Sequence, residues 1–224
     1  MQDNKILKYI DEVLKNMPTS WLNLTTHRLD IYDEKLAKTF FLKQFKSLFD
    51  TNNSEAFALN ELPTAYDYIR LGHPLSCILE WTIANLNNQK SENIISFSSQ
   101  TVPVLAILRK NLLENKKTQI NYINELPLFF DADVLRNVYG YNFEVHKVEN
   151  LVDITSFDGS IIFISEQEKI SSFKNSKNID FCIQTYTNLG SVLLVNGAKN
   201  EHYVSDIQHV RRRETIAMTP VNSL

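Results

Sequence analysis

The sequence has little glycine, little cysteine and no long apolar run. Five glycines in 224 residues leave few positions where the backbone can turn left-handed or approach a ligand closely without a steric cost. The two cysteines, Cys77 and Cys182, lie far apart within apolar segments, which is typical of buried thiols and not of a disulfide framework or a zinc site. No apolar stretch reaches the roughly 18 residues of a membrane span.

Neither acidic nor basic residues are in large excess, and the formal net charge is only −3. This balance argues against a nucleic acid or a membrane surface as the main partner. The first residues enter an amphipathic pattern without the basic and apolar regions of a secretory signal. The five histidines show no metal-ligand spacing. We therefore expect a cytoplasmic protein that acts on a small molecule without a metal, and we leave a homodimer open.

Residues 1–88 are predicted to form a helical N-terminal segment. Ile6, Ile10 and Val13 fall on one helical face, and Pro18 ends that helix because a residue before proline avoids the α region. Two further apolar patterns of helical period follow in the same segment. We expect the segment to lie over the site as a lid that excludes water.

Residues 89–224 are predicted to form an α/β domain with a Rossmann-like sheet. Short apolar strands alternate with helices, which indicates a mostly parallel sheet with right-handed crossovers. The predicted strands lie at 94–97, 119–123, 143–148, 160–164 and 191–195, and the main helices at 102–113 and 132–139. In such a sheet, the ligand lies beyond the carboxyl ends of the strands.

Polar residues follow three of these strands. In the bend after the first strand, Ser98 and Gln100 stand where a nucleotide-binding turn usually has glycine, so that a ligand site and an ordinary polar turn both stay open. Glu125 follows the second strand, where a carboxylate can accept from ribose hydroxyls or simply face solvent. Asp153 follows the third strand and suits an adenine contact or a turn.

Glu80 is the candidate catalytic residue of the helical segment. It lies among apolar residues of a predicted helix, and Tyr66, Tyr68 and Arg70 precede it. A carboxylate among aromatic groups can act as a base or bind an ammonium group, whereas a surface glutamate is the alternative. Arg70 can bind a substrate carboxylate with both guanidinium nitrogens or can be an exposed arginine.

Segments within roughly residues 60–224 resemble nicotianamine synthase and the opine-metallophore synthases, in the order of that family. The bend after the first strand resembles the family's Gly-Ser-Gly-x-x-Pro cofactor loop, with Ser99 and Pro103 matching and both glycines replaced. The other matching segments are Tyr66–Leu71 with Leu79–Trp81, Asn121–Glu125, Phe157–Phe163 and Leu189–Val195.

This resemblance implies a class I methyltransferase-type fold and a reaction of S-adenosylmethionine. The family transfers the 3-amino-3-carboxypropyl group to an amine and releases methylthioadenosine, and cyclisation to azetidine-2-carboxylate would suit the short chain. Methyl transfer and a non-catalytic Rossmann-like binding or scaffold protein are the alternatives. The implied roles are Glu80 as base or ammonium anchor, Tyr66 and Tyr68 as pocket walls, Arg70 at the substrate, and Ser98, Ser99, Gln100, Val102, Pro103, Asn124, Glu125 and Asp153 at the cofactor.

A second resemblance concerns pyridoxal-phosphate enzymes of cysteine and methionine metabolism. Residues Tyr68–Pro74, followed by Leu79 and Glu80, are similar to the Tyr-x-Arg-x-Gly-Asn-Pro segment of those enzymes. They need a lysine for the Schiff base with the cofactor, and none stands near 184–188, where it would be expected. The chain is also short for that fold, and the S-adenosylmethionine interpretation is therefore preferred.

Overall fold

The computed structural model describes residues 2–22, 34–63, 73–168, 173, 176–186 and 190–196. The chain divides into two compact units, Met1–Ser91 and Glu92–Leu224. No helix in the described ranges is long and apolar enough to cross a membrane.

In its described residues, the first unit has four α-helices and a short 3-10 turn, Thr19–Leu22. The helices are α1 (Gln2–Asn16), α2 (Glu34–Asp50), α3 (Ala56–Asn60) and α4 (Pro74–Leu86). Helix α4 begins at a proline, whose missing N–H costs nothing in the first turn. The Nδ1 atom of His73 accepts a hydrogen bond from the N–H of Leu75 at 3.1 Å, which satisfies one of the free donors of that turn.

Aromatic side chains form the core of the first unit. The Phe45 ring meets Trp81 edge-on with centroids 5.4 Å apart, and Trp21 meets Phe41 in the same way at 5.9 Å. Such pairs contribute about 0.5–1.5 kcal/mol each beyond the burial of their surface. The core therefore joins α2 and α4 to the 3-10 turn.

The second unit is built on a six-stranded sheet with the order β1-β6-β5-β4-β2-β3. The strands are β1 (Ile94–Phe97), β2 (Thr118–Tyr122), β3 (Glu144–Lys147), β4 (Ser160–Gln167), β5 (Phe181–Tyr186) and β6 (Gly190–Val195). Helix α5 (Val102–Leu113) connects β1 to β2, and α6 (Ala132–Asn137) lies between β2 and β3. Strands β2, β3, β4 and β5 pair in parallel, whereas β6 is antiparallel to both β1 and β5. The predicted α/β class with a mostly parallel sheet is confirmed.

The strand order differs from the Rossmann-type order that the sequence predicts. In that order, 3-2-1-4-5-6, the first strand is central and adjoins the second. Here β1 stands at one end of the six-strand order, and β6, β5 and β4 separate it from β2. Neighbouring strands lie about 4.8 Å apart, so that β1 and β2 are roughly 19 Å apart. β5 has no counterpart among the predicted strands.

The core of the second unit lies between the sheet and the helices. Helix α5 buries most of its residues, and Asn111 in its last turn makes two polar contacts inside the core. Its side-chain amide donates to Thr118 Oγ1 at 2.9 Å, and Ser160 Oγ donates to Asn111 Oδ1 at 3.4 Å. These bonds tie α5 to the beginnings of β2 and β4.

Candidate functional site

The bend after β1, residues 98–101, opens helix α5. The Ser99 hydroxyl oxygen accepts from the backbone N–H of Thr101 at 3.2 Å and of Val102 at 3.4 Å. It also lies 3.0 Å from the Thr101 hydroxyl. Ser99 thus satisfies N–H groups that a helix start would otherwise offer to a ligand.

Two further hydrogen bonds join this bend to β5 and β6. The side-chain amide of Gln100 donates to the carbonyl oxygen of Tyr186 at 2.7 Å, and Ser191 Oγ donates to the carbonyl oxygen of Ser99 at 2.6 Å. The end of β1, the end of β5 and the beginning of β6 are therefore bound together at one edge of the sheet.

Gly190 completes this junction. Its φ of +95° is a conformation that side chains rarely adopt, and a Cβ at this position would overlap the carbonyl oxygen of Phe97. The adjoining Tyr186 hydroxyl donates to Gln184 Oε1 at 2.6 Å, and burial raises the pKa of Tyr186 to about 12. The junction is closely packed by the chain's own groups.

The other residues expected at the cofactor lie apart from the bend. Val102 and Pro103 are buried in the first turn of α5. Asn124, with a φ of +66°, and Glu125 are exposed after β2. Because β1 and β2 lie roughly 19 Å apart, the bend and Glu125 are not brought together as they would be by adjacent strands.

Asp153 has a structural contact of its own. Its carboxylate accepts from the backbone N–H of Asn150 at 2.8 Å and forms a capping box in the 3-10 turn Leu151–Asp153. The side chain is exposed, and this geometry corresponds to the turn that the sequence left open as the alternative.

Glu80 is neither a surface residue nor an isolated base. Its side chain is 2% exposed, and its Oε2 lies 2.5 Å from Lys38 Nζ. Lys38 also donates to the carbonyl oxygen of Ser91 at 2.9 Å. The three other residues predicted for the substrate site, Tyr66, Tyr68 and Arg70, lie outside the described residues.

A small pocket in the second unit was not indicated by any of these predictions. It has a volume of about 160 Å³ and is lined by Thr101, Val104, Leu105, Phe129, Phe130, Asp131, Val134, Leu135 and Tyr139. The sequence feature that corresponds to this pocket is the segment Leu128–Asp131, in which three apolar residues are followed by an acidic residue before α6. Among the described residues, no group of three His, Cys, Asp or Glu residues is placed to hold a metal ion.

No protein-family model matches this chain, and no curated protein matches it. Solved structures do match at low identity. Cystathionine gamma-lyase from yeast is 12% identical with a TM-score of 0.45, over 70% of this chain and 50% of that one. A putative L-allo-threonine aldolase from Listeria monocytogenes is 13% identical with a TM-score of 0.43, over 81% and 65%. A putative O-acetylhomoserine (thiol)-lyase from Campylobacter jejuni, which carries a pyridoxyl-lysine phosphate, is 13% identical with a TM-score of 0.35, over 80% and 49%.

The chain thus spans about half to two thirds of the solved proteins that it matches. All three carry the names of enzymes, which agrees with the predicted enzyme only at that general level. A likeness of this degree concerns the fold and does not specify a substrate.

The predicted resemblance to nicotianamine synthase and related S-adenosylmethionine-dependent transferases is wrong. The three structures named above are two lyases and an aldolase, one of them with a pyridoxyl-lysine, and β1 and β2 do not adjoin as the predicted cofactor site requires. The predicted cofactor S-adenosylmethionine, aminocarboxypropyl transfer with release of methylthioadenosine, and the methyltransferase alternative are wrong with it. The cytoplasmic location and a homodimer stay predictions.

Proposed function

We propose that this chain is a divergent relative of pyridoxal-phosphate enzymes that serves as a ligand-binding domain and does not react through a cofactor-bound lysine. The segment Tyr68–Pro74 with Leu79 and Glu80 supports the kinship. In its described part, Pro74 opens α4, His73 caps it, and Glu80 pairs with Lys38. These residues of the segment build the helical unit.

Among the described residues, no lysine at the carboxyl end of β4 or β5 is placed to hold pyridoxal phosphate covalently. No lysine stands between Lys177 and Lys199, the span that contains both β5 and β6. Lys177 precedes β5, at the edge opposite to the carboxyl ends of the parallel strands. Lys147 does end β3 at the carboxyl edge, but β4 and β2 stand between β3 and β5, which places it roughly 14 Å from β5.

The bend after β1 is less open to a phosphate group than an ordinary helix start. A phosphate at a helix start is bound by free backbone N–H groups, and here Ser99 accepts from those of Thr101 and Val102. The observation that carries the proposal is the hydrogen bond from Gln100 to the carbonyl oxygen of Tyr186. It makes the bend a structural joint between β1 and β5.

Borohydride trapping tests this proposal. The full chain is incubated with pyridoxal phosphate, reduced, digested and mapped by mass spectrometry. We expect scattered, substoichiometric labelling of surface lysines. One lysine labelled stoichiometrically would overturn the proposal, and Lys147→Arg, which keeps the charge, would show whether Lys147 is that residue.

A further inference from the structure

The pocket beside α6, here called the Phe129 pocket and defined by the lining residues given above, has the size of a single ring. We propose that it binds a small primary amine that carries one aromatic or branched aliphatic group. This assignment names the ligand class of the proposed ligand-binding domain and rests on that function.

The inner walls of the pocket are formed by buried apolar side chains. Val104 and Leu105 are buried residues of α5, and Phe130 and Leu135 are buried lining residues at and before α6. The Phe130 ring is held edge-on against Phe143 with centroids 5.9 Å apart. The volume of about 160 Å³ is close to the roughly 150 Å³ of an apolar cavity that holds benzene.

The lining residues with polar side chains are Thr101, Asp131 and Tyr139. Asp131 Oδ1 accepts from the backbone N–H of Asp133 at 3.0 Å and of Val134 at 2.9 Å. Its second oxygen has no protein partner among the described residues and can accept from a ligand. Because Asp131 satisfies these N–H groups itself, this end of α6 offers them to no anion.

Charge near the pocket favours a cation. Asp133, beside Asp131, is a second exposed carboxylate. The basic residue of α6, Arg136, keeps its positive charge, but its guanidinium donates to the carbonyl oxygen of Phe143 at 3.2 Å and lies over the Phe143 ring at 4.7 Å, and the two carboxylates outnumber it. An ammonium group at Asp131 with a ring between Val104 and Phe130 satisfies both the carboxylate and the apolar walls.

Titration of the full chain with benzylamine, followed by NMR, tests the proposal. We expect saturable binding with a Kd on the order of millimolar, as befits so small a ligand, and shifts of the Val104 and Leu105 methyl signals. Val134→Trp places a large side chain at the pocket, on a residue that is 42% exposed, and should abolish binding.

Asp131→Asn is the matched variant for charge. Asparagine caps helices as well as aspartate does, so that the two backbone hydrogen bonds persist while the negative charge is lost. Benzylamine should then bind about three- to fivefold more weakly, and benzyl alcohol should bind both forms equally.

Three results would overturn the assignment. They are no saturable binding of benzylamine to the natural chain, equal binding to the natural and Val134→Trp chains, or equal affinity for the natural and Asp131→Asn chains. Circular dichroism shows whether each variant is folded. If the Val134→Trp chain is not folded, the Asp131→Asn chain decides the proposal. The borohydride result is independent of all three, so that failure of the amine site and failure of the proposed function are distinguishable.

Discussion

Lys38 Nζ and Glu80 Oε2 lie 2.5 Å apart and join α2 to α4 by an ion pair whose side chains are only 12% and 2% exposed. The same ammonium group donates to the carbonyl oxygen of Ser91, so that it holds two helices and the end of the unit together. A buried charge that loses its partner is costly, whereas a buried pair replaced by apolar groups is often tolerated. The pair is therefore a structural element of the helical unit.

Replacing Glu80 by Gln should destabilise the first unit by about 3 kcal/mol, because the buried Lys38 ammonium group loses the carboxylate charge that lies 2.5 Å from it. Urea unfolding followed by tryptophan fluorescence measures this, since both tryptophans of the chain, Trp21 and Trp81, lie in that unit. The double variant Lys38→Met with Glu80→Leu should recover most of the loss.

The exposed pair of Lys15 and Asp11, with its atoms 2.6 Å apart, is the control. Asp11→Asn should change the free energy of unfolding by less than about 0.5 kcal/mol. If Glu80→Gln costs no more than that, the pair does not have the structural role given to it above.

Low pH should weaken the start of α4 through His73. Burial lowers the pKa of His73, which the backbone hydrogen bond with Trp21 partly offsets, and its Nδ1 must be unprotonated to accept from the N–H of Leu75. A folded-state pKa below the unfolded value gives stability that is present above about pH 6.5 and is lost as pH falls through the folded pKa.

His73→Asn isolates this effect, because asparagine caps a helix without titrating in this range. The free energy of unfolding of the first unit, measured by tryptophan fluorescence between pH 7 and pH 5, should fall less in the variant than in the natural chain. Parallel slopes for the two chains would show that His73 does not contribute to the pH dependence.

Gly190→Ala should destabilise the second unit more than the same change at Gly140. Both glycines have positive φ, +95° and +72°, but a Cβ at Gly190 would overlap the Phe97 carbonyl oxygen, whereas one at Gly140 meets nothing within 4 Å. Gly140→Ala should cost about 1 kcal/mol for the left-handed conformation, and Gly190→Ala at least about 2 kcal/mol more for the overlap. Thermal unfolding by circular dichroism compares them, and equal costs would contradict the close packing of β6 on the end of β1.

The sequence predicts most elements of this fold because their signals are local. The apolar period places α1, α4 and α5, and the turn at Gly140 ends the segment of α6 as expected. Strand order is not local. β5 pairs with β4 on one side and antiparallel β6 on the other, and neither the length nor the apolar character of a strand specifies its neighbours.

The contacts of the predicted site residues could not be predicted from the sequence either, because they join residues that are far apart along the chain. Gln100 is 86 residues from its partner Tyr186, and Glu80 is 42 residues from Lys38, so that no spacing in the sequence announces either contact. From the sequence alone, the polar side chains of the bend could equally bind a ligand or other groups of the protein. The contacts give Gln100 and Glu80 structural partners, and their roles at a cofactor or in catalysis stay predictions.

Gln100→Ala should lower the free energy of unfolding of the second unit by about 1 kcal/mol, because the Tyr186 carbonyl loses its side-chain donor at 2.7 Å. Gln100→Glu should cost more at neutral pH, since a carboxylate would face that carbonyl oxygen, and the cost should shrink as the carboxylate is protonated in acid. Thermal unfolding by circular dichroism at pH 7 and pH 4 measures both variants.

Ser98, the exposed neighbour of Gln100 in the same bend, provides the comparison for this joint. Ser98→Ala should stay within about 0.5 kcal/mol of the natural chain, as surface substitutions usually do. If Ser98→Ala and Gln100→Ala are equally mild, the bend is not held by Tyr186. A phosphate-bearing ligand would then have room at the start of α5, and the closed joint on which the proposed function depends would be lost.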